Sequence, residues 1–253
     1  MNEINFEMTA FPVLSVNNNG KLKVVATCTL TRHNNNWFLL NAAHTLCKDN
    51  WGINRPIYIA IPYKNTIELP FALKTTSQTY DNLDIAVTPL RGEFANNFFG
   101  LDAWSLSANS PHKLLSGYAE RITTFGYPSS RCNIDLAIGE VNANSMTFTS
   151  VETNNLSPKT LKRCNIDYDL HIISRYRRRN VKNQESAPQC GFKPQGLSGG
   201  PVFKTYVEVG ENTDILKSLE FVGISTEYCE NQALFKATKI SAILDFIKKS
   251  FFI

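Results

Sequence analysis

Histidine is scarce in this chain, and none of it lies late. The 253 residues hold four histidines, His33, His44, His112 and His171, so any chemistry that needs an imidazole must draw on these. No run approaches the roughly 20 consecutive apolar residues that cross a bilayer, and no membrane association is expected. The six cysteines (Cys28, Cys47, Cys132, Cys164, Cys190 and Cys229) form no C-x-x-C pair and no Cys/His cluster. Zinc is therefore not indicated, and neither a metal nor a cofactor is implied. Residues 1–7 carry acids and lack both a basic and an apolar stretch, so no secretory signal is expected. The expected location is cytoplasmic, with reduced cysteines acting as small core hydrophobes. Internal repeats and low-complexity tracts are missing as well. What remains, 43% hydrophobic and 19% charged residues, describes an ordinary globular chain able to bury one large or two small cores.

The most informative segment is Gly196-Leu197-Ser198-Gly199-Gly200-Pro201, followed by the strand-forming Val202-Phe203. Glycines let the backbone turn where a Cβ would clash, which can expose a serine hydroxyl beside converging N–H groups. That is the geometry acyl transfer needs. The run also satisfies the G-x-S-x-G elbow of α/β-hydrolases, whose base follows the nucleophile; here no histidine follows Ser198. An Asp-His-Ser order using His44 fails because no aspartate precedes Asp49. Pairings through His112 or His171 stay formally open but have no recognisable local setting. The order His, Asp, Ser has both missing members at hand. His44 ends Trp37-Phe38-Leu39-Leu40-Asn41-Ala42-Ala43-His44, where small alanines leave room for the ring, and Asp84 heads the β-branched run Asp84-Ile85-Ala86-Val87. Each piece alone also has a structural explanation: a hydrogen-bonded turn histidine, an aspartate before a strand, a tight glycine turn.

Taken together, these segments resemble the chymotrypsin-like serine peptidases, in the style of the bacterial trypsin-like and HtrA-type domains. That family carries its base in an (T/N)AAH segment, its acid in D-(I/L)-A-(L/V) and its nucleophile in G-x-S-G-G-P. The resemblance runs from about residue 11 to 245, with intervals of 40 residues from His44 to Asp84 and 114 from Asp84 to Ser198. It implies an all-β fold of two packed six-stranded antiparallel barrels, residues 1–115 with His44 and Asp84, and residues 116–253 with Ser198 and a C-terminal helix over 239–252. It implies peptide hydrolysis, with the N–H groups of Gly196 and Ser198 as the oxyanion hole and Phe192 as the floor of the primary pocket. An aromatic floor argues for apolar or small side chains over Arg or Lys. Leu197 stands where digestive members place an aspartate that pairs with a new amino terminus, so activation through that salt bridge is not expected; control by a regulatory protein partner or by loop ordering is. The implied partner is a protein or peptide substrate. The alternative is an inactive barrel scaffold that binds proteins or peptides without cutting them.

Patterning agrees with a β-rich chain. Apolar, β-branched runs fall near 11–16, 22–31, 37–42, 56–63, 67–74 and 84–90, then near 121–126, 134–141, 145–152, 168–176, 201–209, 219–225 and 233–238. Asn17–Gly20 and Asn34–Asn36 read as hairpin tips, 92–120 as the crossover, and 153–166 and 177–195 as surface loops. Ile240, Ile243, Leu244, Ile247 and Phe251 repeat at three- and four-residue steps, which predicts an amphipathic helix. A net charge of +4 is concentrated around Arg175, Arg177, Arg178 and Arg179. That run reads as a solvated strand end or loop, with nucleic-acid recruitment as the second reading.

Overall fold

The computed structural model describes residues 6–16, 19–46, 56–62, 66–69, 74–75, 82–107, 118–135, 140–177, 181–182, 188–189, 191–209 and 215–251. The first half contributes β1 (Ala10–Val16), β2 (Leu22–His33), β3 (Asn36–Ala42), β4 (Ile57–Ala60), β5 (Thr66–Glu68), β6 (Lys74–Thr75), β7 (Ile85–Pro89), the short helix α1 (Gly92–Asn96) and β8 (Trp104–Ser105). The second contributes β9 (Tyr118–Gly126), β10 (Cys132–Asp135), β11 (Glu140–Ala143), β12 (Met146–Ser150), α2 (Pro158–Arg163), β13 (His171–Arg175), β14 (Val181–Lys182) and β15 (Pro188–Gln189). It closes with β16 (Pro201–Glu208), β17 (Ile215–Cys229), β18 (Leu234–Lys239) and α3 (Ile240–Phe251).

These elements form two main antiparallel sheets. In the first the strands run β5-β4-β1-β2-β3-β7-β6, with β8 added in parallel to β2. In the second they run β12-β9-β16-β17-β18-β13, and an antiparallel bridge between Glu152 and Ser174 joins its two ends. The Thr153 N–H donates to the Ile173 carbonyl at 2.8 Å beside that bridge. The β2–β3 hairpin pairs His33 with Asn36, and Asn34 at its tip takes φ 53°, a left-handed conformation that asparagine tolerates. The expected tip around Asn17 and Asn18 lies outside the described residues.

One core joins the two sheets. Leu14, Phe38, Leu40, Ile85 and Val87 meet Phe125, Phe203, Phe221 and Ile224, and Ile243, Leu244 and Ile247 of α3 complete the cluster. Phe38 and Phe203 are 1% and 0% exposed, and burial of rings that size stabilises by about 2–3 kcal/mol each. Helix α3 thus docks by the face its sequence period marks out, with Lys248 and Lys249 in its last turn, where positive charge suits the helix dipole.

Several segments differ from the sequence reading: the run read as one strand over 134–141 is split between the paired β10 and β11, α1 and β8 form within 92–120, and β14 and β15 within 177–195. Within 153–166, read as loop, Ser157 accepts a hydrogen bond from the Thr160 N–H at 3.2 Å and Pro158 opens the helix, a cap and first turn that start α2. The strand expected from residue 84 begins instead at Ile85, because Asp84 takes φ 51°. That leaves the acid in a turn. Among the described residues no helix is long and apolar enough to cross a membrane.

Candidate active site

His44 and Asp84 are brought together by strand register. Antiparallel pairing sets Ala42 opposite Ile85, so the next residues, Ala43 and Asp84, face each other, and the Ala43 N–H donates to the Asp84 carbonyl at 3.0 Å. Beyond β3 the chain folds into a short 3-10 turn, Ala43–Thr45. Within it the His44 N–H donates to Asp84 Oδ1 at 2.8 Å, and His44 Nδ1 lies 2.7 Å from Asp84 Oδ2. A carboxylate only accepts, so the ring hydrogen sits on Nδ1 and Nε2 is the acceptor nitrogen. The Asp84 side chain is 2% exposed and that of His44 29%, which leaves the imidazole partly open to solvent while its acid is buried. Left-handed φ values at Asn82 (59°) and Asp84 (51°), which these two residue types tolerate better than most, make this a tight turn.

The Ser198 turn is docked on β2 and beside β3. The Thr27 N–H donates to the Ser198 carbonyl at 2.9 Å, and the Thr29 hydroxyl donates to the Gly199 carbonyl at 2.7 Å. Gly199 has φ 89°, and a Cβ there would fall on the Thr27 carbonyl and within 2.9 Å of Asn41 Oδ1, so only glycine permits the approach. Asn41 is on β3, three residues before His44. The serine turn therefore rests on the strand that delivers the imidazole. From the second sheet, the Gly199 N–H donates to the Ser225 carbonyl at 2.6 Å and the Ser225 N–H to the Gly200 carbonyl at 2.8 Å.

The peptide planes that carry the Gly196 and Ser198 N–H groups are fixed by their carbonyls. The Gln195 carbonyl accepts from the Ser129 N–H at 2.8 Å, and the Leu197 carbonyl accepts from the Gly200 N–H at 2.8 Å. A trans peptide points its N–H opposite its carbonyl, and no cis bond is present among the described residues. The N–H groups of Gly196 and Ser198 are consequently turned away from these tethers, and among the described residues neither donates to a backbone acceptor. Thr27 Oγ1 adds a third tie, donating to the Gly196 carbonyl at 2.7 Å while accepting from the Tyr127 N–H at 2.9 Å.

No family model matches the chain, and no curated protein matches it. Its structure is similar to a solved one described as "Structure of GrC", with a TM-score of 0.53 at 14% identity, covering 100% of this chain and 98% of that one. The fold is chymotrypsin-like. Another solved structure, "Aromatic interactions drive the coupled folding and binding of the intrinsically disordered Sesbania mosaic virus VPg protein", gives a TM-score of 0.48 at 12% identity, covering 96% of this chain and 90% of that one.

On this chymotrypsin-like frame, Leu197 is 1% exposed and packs with Phe148, Tyr176, Phe192 and Phe235. Apolar burial thus anchors the segment between Gly196 and Ser198. Phe192, read from sequence as a pocket floor, is 7% exposed in that cluster; its carbonyl accepts from the Tyr176 hydroxyl at 2.8 Å, and its ring centroid lies 5.7 Å from that of Tyr176. Arg175 and Arg177 are exposed, while Arg178 and Arg179 lie outside the described residues. His112, Cys47 and Cys190 lie outside them too. Cys28, Cys132, Cys164 and Cys229 are free thiols. Burial pushes the Cys132 thiol up to about 11 and pushes Cys28 up further, so neither has the character of a nucleophile. Burial likewise raises the Tyr127 hydroxyl, which stays protonated and donates to the Ala10 carbonyl at 3.2 Å.

Sequence reasoning did not single out Thr27, Thr29, Asn41, Ser129, Thr238 or a role for His171. One signal was available: Thr27, Thr29 and Thr31 alternate along β2, and all three are 0% exposed. A buried polar face on a strand needs partners, and a loop that presents carbonyls is one way to supply them.

Proposed function

We propose that the chain is a serine endopeptidase working through an acyl-enzyme. Ser198 Oγ attacks the scissile carbonyl while His44 Nε2 takes its proton and then delivers it to the leaving amine; water then attacks the ester by the same proton route and restores Ser198. Asp84 holds the ring with its hydrogen on Nδ1 and stabilises the imidazolium that forms. The N–H groups of Gly196 and Ser198 receive the developing oxyanion, each such donor being worth about 3 kcal/mol of barrier.

The observation that carries this reading is the 2.7 Å contact between His44 Nδ1 and Asp84 Oδ2, made by a buried acid and a ring open to solvent. The carbonyl tethers that turn the Gly196 and Ser198 N–H groups away from Ser129 and Gly200 support it. Residues 1–115 and 116–253 are taken as the two units, with the cleft between them, and a reducing cytoplasm suits the free thiols. Phe192 is assigned to the primary pocket, with apolar or small side chains preferred, and a regulatory protein partner is part of the proposal. Arg175 and Arg177 are taken as a solvated strand end.

The test is reaction with a fluorophosphonate probe across wild type, His44→Ala, Asp84→Ala and Ser198→Ala. Labelling of wild type that is lost in Ser198→Ala and His44→Ala is expected. A folded wild-type protein that fails to react would overturn the proposal and leave a non-cutting binding scaffold in its place.

A further inference from the structure

The turn that carries Asp84 is held from the opposite sheet. The Thr238 hydroxyl donates to the Leu83 carbonyl at 2.6 Å, and His171 Nε2 lies 3.0 Å from the Asn82 carbonyl. His171 Nδ1 accepts from the Asp167 N–H at 3.0 Å, which leaves the ring hydrogen on Nε2 and makes His171 the donor to Asn82. Both side chains are buried, at 1% for His171 and 0% for Thr238. They are register partners on β13 and β18, so both project from one face of the second sheet. Two adjacent carbonyls, in a turn with left-handed residues at Asn82 and Asp84, thus receive two donors from 89 and 155 residues downstream.

We propose that His171 and Thr238 are positioning residues, which fix the Asn82–Asp84 turn from the second sheet and thereby set the Asp84 carboxylate against His44. The inference rests on the reading above, in which Asp84 orients the His44 ring. Ladder pairing with β3 begins only at Ile85, so β7 holds this turn from one side alone. An unclamped turn can relax at its two left-handed residues. Relaxation there moves the carboxylate and weakens its contacts with His44, while substrate contacts elsewhere are untouched. The electrostatics agree: burial first, then the Lys236 ammonium, hold the His171 pKa below its ordinary value, which keeps the ring neutral and Nδ1 an acceptor.

The test compares Thr238→Val and His171→Leu, which lose the donors, with Thr238→Ser and His171→Gln, which keep one. Three quantities are read: kcat and KM on a peptide substrate, the rate of fluorophosphonate labelling, and the proton NMR signal of the His44 Nδ1–H, assigned by its loss in His44→Ala. Donor loss is expected to lower kcat by about ten- to hundredfold with KM within about twofold, and to shift or broaden the His44 signal. Thr238→Ser is expected to restore kcat to within about threefold of wild type. Unchanged kcat and an unchanged His44 signal in the donor-loss variants would overturn the proposal, as would Thr238→Ser failing as badly as Thr238→Val. If one donor-loss variant does not fold, the other and the two conservative variants decide. If wild type shows no activity, the endopeptidase reading fails separately, and the His44 signal still decides whether these residues hold Asp84.

Discussion

The Thr27 hydroxyl donates to the Gly196 carbonyl at 2.7 Å, joining residues 169 apart in the chain. One side chain of the first sheet thereby fixes a peptide of the serine turn, and the same oxygen accepts from the Tyr127 N–H. Thr27→Val keeps the shape and removes both partners. Leaving two buried backbone groups unsatisfied costs about 1–3 kcal/mol each, so stability in urea should fall by a few kcal/mol. Probe labelling should slow about tenfold or more as the Gly196 peptide loses its tie. Thr27→Ser should behave nearly as wild type, and equal losses in Ser and Val would contradict this account.

Asp84→Asn tests the acid without emptying its site. An amide at this position can donate to Nδ1, which places the ring hydrogen on Nε2 and removes the acceptor that the proposed mechanism requires for the Ser198 proton. A drop in kcat of about 10⁴ is expected, with the fold intact by circular dichroism. A loss of less than tenfold would show that Asp84 does not set the tautomer.

Leu197→Ala addresses the anchor of the Gly196–Ser198 segment. The side chain is 1% exposed among four aromatic rings, and truncation leaves a cavity costing about 2–5 kcal/mol. Denaturation should show that loss, and labelling by the probe should fall more than in an equally destabilised variant at a core site in another cluster, such as Ile59 of β4. Parallel losses in the two variants would assign Leu197 a packing role only.

Acid should weaken the fold through His171. Its folded pKa is depressed, by burial first and by the Lys236 charge second, with the Asp167 carboxylate and the bond to Asn82 opposing. Below the ordinary histidine value of about 6.5, the unfolded chain takes up a proton that the folded ring resists. The stabilisation is therefore complete above that value, declines as pH falls toward the folded pKa, and does not change further below it. Urea midpoints measured from pH 8 to pH 5 should decline, with a shallower decline in His171→Gln. Identical slopes for the two proteins would reject His171 as the source.

Much of this arrangement was legible in the sequence because it is local. The alternation of β-branched residues, the three-and-four spacing in α3 and the order of His44, Asp84 and Ser198 are properties of short segments or of linear order. The His44–Asp84 contact follows from strand register once β3 and β7 pair. What stayed hidden depends on pairings between distant strands. Thr27 reads as an ordinary strand threonine until the serine turn arrives beside it, and His171 looks like a spare histidine until Asn82 is seen across the interface. The start of α2 was missed because Ser157 and Pro158 are turn formers as often as helix openers.

The Thr238 bond to Leu83 spans 155 residues, and it bears on the order in which the protein is made. A ribosome releases the stretch bearing Asp84 long before β18 has been translated, and through that interval the acid's turn lacks its downstream clamp. Until β13 and β18 are made, the Asn82–Asp84 turn has only its contacts within the first sheet.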